Sequence, residues 1–190
     1  AIEAAVANAQ HLGAQAGDSL KLATVTGIDS SKSADTENAG NAQLDATVTA
    51  LTMNGDVITS CVIDSVQAKV AFDATGAITS DVTAPVATKN ELGESYGMVA
   101  WGGAIAEWDE QAAALASYAV GKTTEELRNG AIDETGKAPA GSDLASSATI
   151  YLGGYVSAIE AAVANAQHLG AQAGDSLKLA TVTGIDSSKS

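Results

Sequence analysis

The first 33 residues of the chain return at its other end: Ala1 through Ser33 and Ala158 through Ser190 are identical, at a constant offset of 157 residues. A run of identities that long cannot arise by chance, and an old duplication would have accumulated differences. The copies are recent, or kept identical by gene conversion, or the product of an engineered segment duplication. A fixed internal period constrains a fold more than any local pattern. A period of 157 residues is too long for a solenoid unit and suits a whole domain. The expected organisation is a domain-sized tandem repeat. Residues 1–157 form one full period, with a core at about 19–156, and residues 158–190 open the next.

The duplication alters the charge balance. The chain has 9 basic and 23 acidic residues; the second copy brings Lys178 and Lys189 with Glu160, Asp175 and Asp186, so one period holds 7 and 20, a formal −13. Carried once per bead, such charge argues against nucleic acid and anionic lipid as partners. It also keeps neighbouring beads apart. Cys61 is the sole cysteine, so no disulfide can form within a period. No stretch has the length and apolarity of a membrane span. Abundant Ala, Ser, Thr, Asp and Gly point to an extracellular or cell-surface protein.

Periodicity outlines an α+β domain, an antiparallel β-sheet meander with helices packed on one face. An Ala-rich helix is expected from Ala1 to about Leu12. In the second copy Ser157 and Glu160 have capping-box spacing, which predicts a helix starting there. Leu20–Thr26 reads as a strand. From Gln43 to Met53, Leu44, Ala46, Val48 and Ala50 alternate with Gln43, Asp45, Thr47 and Thr49. Asn54-Gly55 signals a two-residue hairpin turn. A long strand then runs from Val57 to Phe72, and Asp73–Gly76 turns into a short strand at Ala77–Thr79. Pro85–Gly103 is irregular. A helix over about Ala104–Val120 carries an apolar stripe of Ile105, Trp108, Ala112, Leu115 and Ala119. Thr123 and Glu126 cap a further helix, and Ala148–Leu152 reads as a strand.

The doubled stretch raises a physical question. If a domain needs it once, this chain has a spare copy, and a strand left over from it, such as one over Leu177–Thr183, invites pairing with another chain. Strand donation and contacts that do not close on themselves both produce filaments. The expected partners are therefore neighbouring copies of the chain itself, joined head to tail. Ser157, Glu160, Leu177, Leu179 and Val182 are the candidate assembly residues, and the two copies are expected to contact different domains.

Several motifs carry a resemblance. Gln43 to Ser80, with Lys89-Asn90-Glu91-Leu92-Gly93, Tyr96-Gly97-Met98, Glu107-Trp108-Asp109-Glu110-Gln111 and Gly121-Lys122-Thr123, resembles extracytoplasmic proteins of Gram-positive anaerobes described as FMN-binding-like or major-membrane-immunogen-like. The resemblance covers about two thirds of a period. It implies a surface location and flavin as an alternative cofactor. Flavinylated relatives attach FMN to the final Thr of a motif that Thr75-Gly76-Ala77-Ile78-Thr79 approaches, making Thr79 the candidate attachment residue. Ile78 stands where that motif has a hydroxyl residue, and a plain hairpin turn explains the same residues.

Other constellations are bland. Gly121-Lys122-Thr123 lacks the upstream glycine of a phosphate loop, Ala116 standing in its place. His11 and His168 have no partner at metal-ligand spacing. Glu107, Asp109 and Glu110 read as the wet face of their helix. Tyr96, Met98 and Trp101 are the candidates for a flat-ligand pocket, because ring faces stack on planar groups. No nucleophile, base or metal constellation suggests an enzyme. The function implied is a structural repeat module of an extracellular bacterial fibre or long surface protein, needing no cofactor. The alternative is an FMN-binding redox module.

Overall fold

The computed structural model describes residues 16–170, 175 and 177–185, together with Glu3 and Val6. The expected first helix otherwise lies outside the described residues. Three strands form the meander: β1 (Ser19–Gly27), β2 (Gly40–Asn54) and β3 (Val57–Phe72). Their registers run from Ser19↔Met53 to Gly27↔Asp45 and from Gly40↔Phe72 to Asn54↔Val57, with an irregularity at Thr52/Met53. The turn between β2 and β3 is Gly55–Asp56, one residue later than Asn54-Gly55 suggests, because Asn54 still pairs with Val57. The short strand expected at Ala77–Thr79 is reduced to a single bridge, Phe72↔Ile78.

Helices cover one face. They are α1 (Lys89–Leu92), α2 (Met98–Gly102), α3 (Trp108–Ala119), α4 (Thr124–Ala131) and α5 (Gly153–Ala164). Helix α3 begins later than the stripe suggested, and Ile105 precedes it and is exposed. The remaining stripe, Trp108, Ala112, Leu115 and Ala119, is buried. Its end is fixed on the sheet, since Gly121 N–H donates to the Ile58 carbonyl (2.8 Å) and Ile58 N–H to that of Lys122 (3.0 Å). The Thr123–Glu126 capping box then starts α4 as expected. Among the described residues no helix is long and apolar enough to cross a membrane.

Helix α5 departs from expectation in a way that defines the domain. It begins at Gly153, so Ser157 and Glu160 stand inside the helix and do not cap it. Val156, Ile159 and Ala162 are buried in the same core as Leu51, Ile63 and Leu115, and Ala158 is buried as well. Each large aliphatic side chain among them contributes roughly 1.5–3 kcal/mol of burial. The chain then leaves the helical state: β4 (Ala166–Gly170), where the doubled stretch reads as helix, pairs antiparallel with β1 through Leu20↔Gln167 and Lys21↔Ala166. The sheet order is β3-β2-β1-β4.

The described parts of both copies pack in one domain here. The first copy supplies β1; the second supplies most of α5 and all of β4. Further along the second copy, Leu177 joins Ala50 and Val62 in a small cluster on the sheet face opposite the helices, with Leu20 and Leu179 beside it. Thr183 bridges Val86, its hydroxyl donating to the Val86 carbonyl at 2.9 Å.

Candidate functional site

Alternation in β2 puts its polar row beneath the helices. Leu51 belongs to the helix-side core and Ala50 to the opposite face, so Asp45, Thr47 and Thr49 share the side of Leu51. Thr49 is buried under α-helical cover, whereas Asp45 and Thr47 border a cavity of about 540 Å³. That volume falls within the roughly 300–1,000 Å³ of small-molecule sites. Lys89, Tyr96, Met98, Trp108, Ile150 and Tyr155 line its inner part, and Asp29 stands exposed at its mouth.

Lys89 is the unexpected member. Its helix is set by a complete capping box, in which Glu91 N–H donates to the Thr88 hydroxyl (3.1 Å) and Thr88 N–H to the Glu91 carboxylate (2.9 Å). The same turn is tied to β3, because the Asn90 side-chain amide donates to the Ile63 carbonyl (3.0 Å) and Asn90 N–H to Asp64 (3.3 Å). So fixed, Lys89 is only 7% exposed. Its ammonium lies 4.8 Å from the Tyr96 ring centroid and 5.1 Å from that of Trp108. Ring faces thus replace part of the water that burial removes. Burial still pushes the Lys89 amine below its ordinary value, against the opposing influence of Tyr155 and Asp45.

The surrounding groups are locked in turn. Trp108 Nε1–H donates to the Tyr155 hydroxyl oxygen (2.9 Å), and the two rings meet edge to face at 5.6 Å. Tyr96 O–H donates to Gln67 Oε1 (2.9 Å), and Gln67 Nε2 donates to Asp45 (3.0 Å), which also accepts from Gln43. Burial acts to raise Asp45, but hydrogen bonds from Gln43, Ser30 and Gln67 and the charge of Lys89 bring it below the usual carboxylate value.

Of the residues singled out from sequence, Tyr96 and Met98 come together here. Trp101 does not: it is 89% exposed. Its ring crosses Gly97, where an added Cβ would lie 2.1 Å from Trp101 Cδ1, so only glycine fits beneath it. Thr79 is exposed in the hairpin after β3, with its N–H donating to the Ala71 carbonyl (2.9 Å). Glu107 is not on a wet face. It is buried, and its carboxylate accepts from Met98 N–H (2.8 Å) and Val99 N–H (3.0 Å), joining the first turn of α2 to the start of α3. Lys89 and Tyr155 were missed. The Thr88–Glu91 spacing was the available signal, since it makes Lys89 the first residue of a helix turned toward the sheet.

The assembly candidates divide. Glu160 makes a two-pronged ion pair with Arg128 of α4, which also reaches Ser157 (3.5 Å). Leu177 and Leu179 pack on the outer sheet face, and Val182 is 68% exposed. Among the described residues no group of three or more His, Cys, Asp or Glu is arranged to hold a metal ion.

Comparison with known proteins finds no matching family model, no matching curated protein and no matching solved structure.

Proposed function

We propose that one period of this chain is a bead of a tandem array, a structural module of an extracellular fibre or long surface protein. The observation that carries the reading is the division of the doubled stretch. Ala158, Ile159 and Ala162, from the second copy, are fully buried against a sheet whose β1 comes from the first. In an array every such stretch would be shared in the same way, its helical half closing the bead before it and its strand half opening the bead after it. β4 would stay on the sheet of the bead before it, and Leu177 and Leu179, which pack on the outer face of the sheet here, would leave it to open the bead after. The acidic surface of each period would keep neighbours soluble and apart.

Stretching a chain of five periods by single-molecule force spectroscopy tests this reading. Independent beads give evenly spaced unfolding peaks, each releasing about 50 nm of contour length, as expected for a period of this size at ~3.5 Å per residue. Irregular spacing, or one release for the whole chain, would count against it.

A flavin-binding reading draws on the cavity around Lys89, since Tyr96 and Met98 line it. It is the lesser reading because neither Trp101 nor Thr79 lines that cavity. Flavin absorption bands in the purified protein would favour it.

A further inference from the structure

We infer that the cavity between Lys89 and Asp45 binds a small zwitterion of the α-amino-acid class, with its carboxylate at Lys89 and Tyr155 and its ammonium at Asp45 and Asp29. This site is independent of the array reading and goes beyond it.

The inner end of the cavity supplies hydrogen-bond donors. Among the described residues Lys89 forms no ion pair, so the buried ammonium faces the cavity with ring faces in contact and Asp45 acting on it only from beyond ion-pair distance. A desolvated charge in that setting is stabilised most by an opposite charge brought to it. Tyr155 adds a second donor. Its oxygen already accepts from Trp108 Nε1–H, which leaves its own proton to give, and it stands near enough to act on the charge of Lys89. Tyr96 is not available in this way, because its proton goes to Gln67.

The outer end supplies acceptors. Asp45 is held ionised by Gln43 and Gln67 on one side, and Asp29 stands at the mouth. Met98 and Ile150 add apolar side chains to the lining. A simple anion would satisfy Lys89 and meet repulsion from both aspartates; a simple cation would suffer the reverse. A molecule bearing both charges and a short apolar side chain matches all three regions.

The protein has two tryptophans, and Trp101→Phe removes the exposed one, leaving Trp108 inside the site as the reporter. L-Leucine is titrated into this protein with isocaproate, which lacks the ammonium, and isoamylamine, which lacks the carboxylate. L-Leucine is expected to change Trp108 emission saturably, and each truncated probe to bind about tenfold more weakly or worse, one charge-assisted contact being lost. Lys89→Met should remove the advantage of L-leucine over isoamylamine, and Asp45→Asn its advantage over isocaproate. Far-UV circular dichroism confirms that each variant is folded; should Lys89→Met fail to fold, Asp45→Asn and the truncated probes decide the matter. The inference is overturned if L-leucine gives no saturable change, if isocaproate or isoamylamine binds as tightly as L-leucine, or if FMN saturates the signal while L-leucine does not.

Discussion

Leu177 packs in the same apolar cluster as Leu20, the residue of which it is the exact copy. Leu20 belongs to β1 and pairs with Thr52; Leu177 lies on the outer sheet face beside Ala50 and Val62. Identical local propensity therefore yields two placements, and connectivity makes the choice. The first copy runs directly into β2 through residues 28–39, so it enters the sheet next to its chain neighbour. The second copy emerges from α5 and finds that place filled.

Cys61 provides a reporter of unfolding. It is fully buried in the helix-side core, and burial pushes its thiol up to about 12. Near neutral pH the folded protein should react with a thiol-specific disulfide reagent only through opening of the core. The labelling rate should rise in parallel with the fraction unfolded by urea. Rapid stoichiometric labelling of the native protein would contradict the burial of this strand.

Asp64 should make stability depend on acid. Burial raises its carboxyl above the ordinary 3.8, with amides of Ser65 and Asn90 and the Thr88 hydroxyl partly offsetting. The folded state then holds this proton to higher pH than the unfolded chain does. Stability conferred by the protonated form falls as pH rises from 3.8 through the raised value, and the cost persists above it. Asp64→Asn keeps an oxygen for the Ser65 and Asn90 amides while removing the charge. Urea unfolding should find the variant at least as stable as the parent at neutral pH, with that advantage gone below pH 3.8.

Glu107→Ala should cost about 2–3 kcal/mol, because it strips two charge-assisted hydrogen bonds from the first turn of α2 while leaving the Glu107 N–H bond to Glu110 in place. Glu107→Gln should retain more than half of that stability. Equal losses for the two variants in thermal unfolding would mean that the carboxylate is not what joins the helices.

The strands were legible because their alternation and turn residues agree with their burial: β3 spans Val57–Phe72 as its pattern predicts, and Thr123 caps α4 as its spacing predicts. Helix α5 was not, since Gly153 and Gly154 argue against a helix start by propensity. Tertiary packing overrides that preference. Gly153 is buried, and a Cβ there would lie 2.6 Å from the Tyr151 hydroxyl. The apolar run at Ala148–Leu152 looked like a strand but has no strand partner among the described residues. The Gln111 side chain serves its backbone instead, accepting from Thr149 N–H (2.8 Å) and Ile150 N–H (3.2 Å). In the cavity, Tyr96 and Met98 were found through their motif, whereas Lys89 was missed because lysine is so seldom buried.

The closure of one domain across the two copies is tested most directly by paired truncations. A chain beginning at Ala16 and a chain ending at Ser157 are compared with the parent by thermal unfolding. The first keeps β1, α5 and every described member of the helix-side core, and should melt within a few degrees of the parent. The second loses Ala158, Ile159 and Ala162, all fully buried, and should lack a cooperative transition or melt far lower, given roughly 2–5 kcal/mol for deleting Ile159 alone. If the chain ending at Ser157 melts like the parent while the chain beginning at Ala16 does not, the first copy closes the domain, and the division of the doubled stretch between beads is wrong.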